Sequence, residues 1–169
     1  MLYDILVVQC EKSLRNMSTI LNKAVAYAEQ KKFDVDVLLQ SRLAPDQFHF
    51  IRQIQIMCDT AKFGAARVSG KEAPTHDDHE TTVAQLQARI DATITYLRTL
   101  QPRDFEGVAQ RRVTTPRWNN KYMLAHDYAC QHVVPNFYFH MTTAYSILRH
   151  NGVDIGKKDF LGELAFREP

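Results

Sequence analysis

An all-α fold built from four long helices is what this sequence predicts, and three observations carry the prediction. Apolar residues recur at intervals of three and four along four extended stretches, the spacing of a helix with one buried stripe. The helix-breaking residues, 6 Gly and 6 Pro, fall mainly between those stretches. No segment shows the sustained period-two alternation of a sheet, so the stripes must bury one another in a bundle. Hydrophobic residues make up 45% and charged residues 24% of the 169 positions, which excludes a disordered or low-complexity chain. That length suits a single core, and one domain spanning residues 1–169 is expected.

The first helix is expected from Leu2 to about Glu29, because Tyr3, Leu6, Cys10, Leu14, Met17, Leu21, Ala24 and Ala28 follow one another at helical spacing. A connector, "KKFDVDVLLQSRLAPDQ", separates it from a second helix. Pro45 and Asp46 open that helix, and Ser69 and Gly70 close it after Val68. The segment "KEAPTHDDHE" supplies a polar loop and an acidic first turn for the third helix. Its Leu86, Ile90, Thr93, Leu97 and Leu100 keep helical spacing up to Pro102. From Arg103 to His126 the pattern fails. Val113, Thr114 and Thr115 favour extended backbone, Pro116 interrupts it, and Asn119 with Asn120 marks a turn, so a long irregular connection containing a hairpin is expected. The last helix begins near Asp127 and ends at Asn151 and Gly152, with Pro135 either bending it or marking its true start. Beyond it, Phe160 and Leu161 are expected to fold back onto the bundle; the alternative is a basic ligand-binding tail built on Lys157 and Lys158.

Charge identifies no partner. The 21 basic and 19 acidic residues leave a formal +2, too balanced for a dedicated nucleic-acid binder. The basic residues Arg111, Arg112, Arg117 and Lys121 around Trp118 read as a solvated loop, since no stacking platform accompanies them. Cys10, Cys58 and Cys130 form no CxxC pair and lie in helical, partly apolar patterns, as expected of reduced packing residues in a cytoplasmic protein. An N-terminus with Asp4 and Glu11 does not resemble a signal peptide, and no apolar run approaches the ~20 residues of a membrane span. Neither nucleic acid nor membrane is an expected partner.

The candidate site comes from polar residues that interrupt apolar faces. On the last helix Val133, Phe137, Met141, Ala144, Ile147 and Leu148 share one arc, His140 falls inside it and Asn136 lies at its edge. A histidine there needs a hydrogen-bond partner, and Asn136, one turn earlier, is the local candidate. On the second helix Gln55, Asp59 and Lys62 stack at i, i+4 and i+7 beside the apolar face, bracketed by Phe48, Ala66, Ile56 and Phe63. If these two helices face each other, Gln55, Asp59, Lys62, Asn136 and His140 meet in the bundle interior, where bundles commonly build ligand sites. His140 would then be the residue able to act as acid or base. Asp59 and Lys62 read equally well as an i, i+3 ion pair on a helix edge. His132 continues the spacing of Asn136 and His140 but turns toward solvent, and His49 lies opposite the main face of its helix. His76 and His79 in "PTHDDHE" have metal-binding composition, but capping and the helix dipole explain their acidic neighbours better. No Gly-rich phosphate loop, GxSxG elbow or HExxH is present.

The segment "LAPDQFHFIRQIQIMCDTAK", followed downstream by "PNFYFHMTTAYSILRHNGVDIGKKDFLG", resembles a bacterial family known only as a domain of unknown function and related to the DinB superfamily. The resemblance covers nearly the whole chain. It implies a DinB-like four-helix bundle with a long crossover, and a homodimer as the expected assembly. In metal-binding DinB-like proteins a His from the second helix joins an HxxxH pair on the last helix around a divalent ion. Here Asn136 and His140 match the pair best, and the second helix offers Gln55 or Asp59 in place of a His. Any metal would therefore rest on Asp59 and His140, and a metal-free site is the expectation. The function implied is a polar cavity for a small molecule, derived from a metal-dependent enzyme; the alternative is a non-catalytic interaction or stress-associated protein whose polar core residues are structural.

Overall fold

The structure is a computed structural model and describes residues 1–168. The first helix, α1 (Gln9–Lys31), is continuous with a wider π-helical stretch, Asp4–Val8, in which the Gln9 N–H reaches back to the Asp4 carbonyl. Its predicted stripe is the buried one: Leu6, Cys10, Leu14, Met17, Leu21, Ala24 and Ala28 are all buried. Lys32, in the left-handed region at φ 60°, ends it. A short helix, α2 (Asp36–Leu39), interrupts the connector and buries Leu38 and Leu39.

The second long helix, α3 (Phe50–Ser69), starts later than Pro45. Its N-cap is His49, whose ring nitrogen accepts the Arg52 backbone N–H, so the segment from Pro45 to Phe48 remains outside the helix. Gly70, at φ 74°, closes it. α4 (Val83–Thr99) is opened by a Thr82–Gln85 capping box and buries Leu86, Ile90, Thr93 and Leu97. The acidic residues of "THDDHE" are not its first turn. They belong to a strap, residues 71–82, where Asp78 and Glu80 pair with arginines instead of serving the helix dipole.

After α4 the chain runs through short 3-10 turns to a small antiparallel hairpin, β1 (Arg112–Val113) and β2 (Met123–Leu124), with Arg112 opposite Leu124 and Val113 opposite Met123. The irregular connection with a hairpin is therefore present. A last long helical stretch follows as α5 (Ala125–Tyr128), a π-helical segment (Ala129–Val133) and α6 (Val134–His150). Pro135 sits at its junction: the Val134 N–H bonds the Ala129 carbonyl, five residues back, and the wider turn accommodates a residue that has no N–H to offer. Gly64 lies opposite this segment, and a Cβ there would come within 2.4 Å of Val133 Cγ1, so α3 and the π turn approach at a distance only glycine permits. α6 ends at Asn151, and Gly152 (φ 93°) turns the chain toward α7 (Lys157–Leu161), which docks on α1.

α3 packs mainly on α6 and α4, and α1 packs on the same two helices, so α1 and α3 lie across one diagonal of the bundle and α4 and α6 across the other. One apolar core runs between them. This makes α3 polar on two faces, one toward α4 and one toward α6. No helix among the described residues is long and apolar enough to cross a membrane.

Candidate functional site

The two faces of α3 divide the residues that the sequence places together. Toward α4, Gln55, Asp59 and Lys62 enter an ion cluster centred on Arg89, which is buried at 3% exposure. Arg89 Nη2 donates to Asp59 Oδ1 (2.9 Å) and Asp78 Oδ1 (3.2 Å), and Nη1 donates to Glu80 Oε1 (2.8 Å). Burial opposes the charge on Arg89, but Asp59 and Glu80 outweigh it and raise its pKa. Lys62, fully buried, donates to Asp59 (3.0 Å) and to His76 Nδ1 (2.9 Å). The His76 ring accepts here as a neutral base, since burial and then the Lys62 cation lower its pKa. Gln55 links the cluster outward, donating to Glu80 (2.9 Å) and accepting from Arg52 (3.0 Å), which also pairs with Asp78. The cluster fastens the strap across α3 and α4. Gln55 and Lys62 thus serve this anchor, away from Asn136 and His140.

Toward α6 the structure opens a cleft of about 480 Å³ between α3, the last helical stretch and the loop at Thr115–Trp118. Asn136 and His140 line it, and Asp59 reaches its wall. Asn136 is not the partner of His140. Its amide donates to Thr60 Oγ1 (2.7 Å), while His140 Nδ1 lies 2.7 Å from Gln53 Oε1 across the helix interface. Gln53 is oriented by donating to the Phe48 carbonyl (2.9 Å), so its oxygen faces the ring and His140 donates from Nδ1. Burial, and then the Arg52 cation, push the His140 pKa down to about 4. His140 is therefore neutral at pH 7, well away from the value that suits acid–base work there.

The rest of the cleft lies outside the stripes that helical spacing singles out. Trp118 meets Tyr128 edge-on at 5.7 Å, and Tyr128 stacks on His132 at 5.2 Å. His132 is exposed, as expected from its helix face, yet it forms part of the cleft wall. Arg67 Nη1 donates to the Tyr128 hydroxyl (3.0 Å), and its guanidinium lies 5.2 Å from the centre of the Phe63 ring. A signal existed in the spacing of Tyr128, His132, Asn136 and His140, each four residues after the last. The matching stripe on α3 is Ile56, Thr60, Phe63 and Arg67, one residue round from the stripe singled out above.

These donors do not fit a divalent metal. Asp59 is already shared by two cations, His140 is engaged through Nδ1 and faces the field of Arg52, and His132 lies two helical turns from it, about 12 Å along the axis. His76 and His79 lie on the strap, where His76 serves Lys62. All three cysteines are free. Cys10 and Cys58 are buried, which pushes each thiol up to about 12, and Cys130 is exposed.

The family model for a domain of unknown function, DUF1993, matches residues 2–161. No curated protein matches the chain. The crystal structure of a DinB family member protein from Shewanella denitrificans is 54% identical, covers 100% of this chain and 96% of its own, and superposes with a TM-score of 0.97. With its four-helix frame, its hairpin crossover and a likeness that runs from end to end, this chain belongs to the DUF1993 family and has a DinB-like fold.

Proposed function

We propose that the protein binds a small organic molecule in the cleft between α3 and α6, with no metal. The observation that supports this most directly is the composition of the walls. Polar groups on two helices, Thr60 on one and Asn136 and His140 on the other, converge on a space of about 480 Å³ that aromatic side chains also line. That volume lies within the ~300–1,000 Å³ of small-molecule sites, and convergent polar groups beside aromatic walls fix the orientation of a small ligand. In this reading His140 is a neutral recognition group, its Nδ1 fixed by Gln53. The buried Arg89 cluster is the scaffold that holds the opposite face of α3 in place.

Trp118, the chain's one tryptophan, lines the cleft, so its fluorescence reports occupancy without a label. A set of small metabolites titrated into the full-length protein should contain members that shift or quench Trp118 emission saturably. The cleft-filling variant Thr60→Phe should abolish the response while keeping its helical circular dichroism. A response that persists undiminished in Thr60→Phe, or none in wild type across the set, would remove the cleft as a binding site.

A further inference from the structure

The reading of the cleft as a ligand site leaves the kind of ligand open, and the charges along its wall narrow it. Four side chains with formal charge line the cleft: Arg52, Asp59, Arg67 and Arg117. Arg52 is matched by Asp78, and Asp59 by Lys62 and Arg89. Arg67 and Arg117 have no carboxylate within ion-pair distance among the described residues, although Arg67 is half-buried on α3. Both line the cleft on the side of the Trp118–Tyr128 pair. Arg67 is held by the Tyr128 hydroxyl at 3.0 Å, Tyr128 touches Trp118 edge-on, and Arg117 precedes Trp118 in the chain. Phe63 and Trp118 are the aromatic walls next to these arginines, and Thr60, Asn136 and His140 continue the lining toward Arg52, whose charge Asp78 matches.

Resting on that reading, we propose that the cleft takes an organic anion whose oxyanion group, a carboxylate or a phosphate, is held by Arg67 and Arg117 while a flat apolar body lies along Phe63 and Trp118. A guanidinium pairs with either oxyanion through parallel N–H donors, and the partial desolvation of Arg67 strengthens such a pair relative to one in open water. Aromatic walls favour a planar body, which covers them without ordering a flexible chain. His132 supplies an internal reporter: burial and then the Arg67 cation lower its pKa. An anion seated on Arg67 offsets that cation, so the His132 pKa rises on binding.

The test uses the full chain and four probes: phenylacetate, benzylphosphonate, the neutral isostere phenylacetamide, and acetate. Trp118 fluorescence gives affinity, and the His132 ring proton shift against pH gives its pKa. At least one of the two aromatic anions should bind saturably, raise the His132 pKa, and bind at least tenfold tighter than phenylacetamide and than acetate. Which of the two is tighter separates a carboxylate ligand from a phosphate one. Arg117→Gln, at an exposed position that folding tolerates, and Arg67→Gln should each weaken the anion at least tenfold and weaken phenylacetamide several-fold less than the anion; Arg67→Lys should keep most of the affinity. Equal binding of phenylacetamide and phenylacetate would overturn the anion assignment and leave the ligand site standing. Failure of every probe to move Trp118 would overturn the anion assignment, while the cleft itself falls only when the metabolite set also leaves Trp118 unmoved.

Discussion

His140 shows how a single residue's role depends on a partner far away in sequence. Its arc on the helix predicts burial, and it is buried, at 7% exposure. That it needs a partner follows from elementary energetics, but the partner is Gln53, 87 positions earlier, and the nearby Asn136 bonds Thr60 instead. Helical spacing orders residues along one helix and says nothing about which residue of another helix lies opposite. Replacing His140 with Ala leaves Gln53 Oε1 unpaired beside a new void, and the expected loss is about 2–4 kcal/mol. His140→Gln keeps a donor and should recover much of it. A pH dependence follows with a definite sign. The folded-state pKa of about 4 lies below the ordinary 6.5, so the folded protein resists protonation, and stability falls as pH drops from 6.5 toward 4. The full effect of this one group is about 3 kcal/mol. Urea denaturation at pH 7 and pH 4.5 measures it: wild type should lose more stability than His140→Gln between the two values. Equal losses would mean that His140 titrates normally and is not held as described.

At the scale of elements, the helices were legible because each has one stripe whose period survives in sequence, as with Leu86, Ile90, Thr93 and Leu97 of α4, all buried. The strap was not. Its run of Asp and Glu just before a helix has the composition of a first turn, and only the fold reveals that Arg89, six residues inside α4, draws Asp78 and Glu80 back across the helix. Arg89 lies one position before Ile90, on the margin of the apolar stripe, where a long side chain is easily read as solvent-facing. The start of α3 differs from the expected Pro45 for a related reason: Pro45 is a common first helical residue, but the capping bond is made by His49. Arg89 is the test of the strap. Arg89→Met removes the shared cation from three carboxylates, and because Asp59 and Asp78 are partly exposed at 30% and 38% the loss should sit near the lower end for a broken buried ion network, about 3 kcal/mol. Amide exchange across residues 71–82 should quicken in the same variant. Asp78→Asn, at the exposed margin, should cost under about 1 kcal/mol. If Arg89→Met melts like wild type, with the strap still protected, the cluster is not what anchors it.

Across the whole molecule, the bundle and its hairpin crossover could be read from periodicity and breakers, whereas the pairing of faces, and with it the split of the site into an anchor and a cleft, could not. The C-terminal closure was legible in part. Asn151 and Gly152 end α6 as expected, and Phe160 returns to pack edge-on against Tyr145 at 5.7 Å, but Leu161 stays 41% exposed and Lys157 and Lys158 are solvated. What closes the molecule is the contact with α1. Asn16 Nδ2 donates to the Phe160 carbonyl (3.0 Å) and Lys23 pairs with Asp159 (2.7 Å), tying the two ends of the chain together. Gly162 allows this. Its φ of 63° and ψ of −158° lie in a region open essentially to glycine alone, and a Cβ there would come within 2.4 Å of Asn16 Oδ1. Truncation after Gly156 should therefore lower stability by roughly 1–3 kcal/mol, the sum expected for one partly buried aromatic and two polar contacts. Gly162→Ala should reproduce much of that loss with a single methyl group, because strain and clash both fall on the Asn16 contact. A double Lys157→Ala, Lys158→Ala variant should melt as wild type. Thermal melts of the three proteins separate the roles: unchanged stability on truncation would show that α7 closes nothing, and a large loss in the double-lysine variant would return the basic tail to consideration.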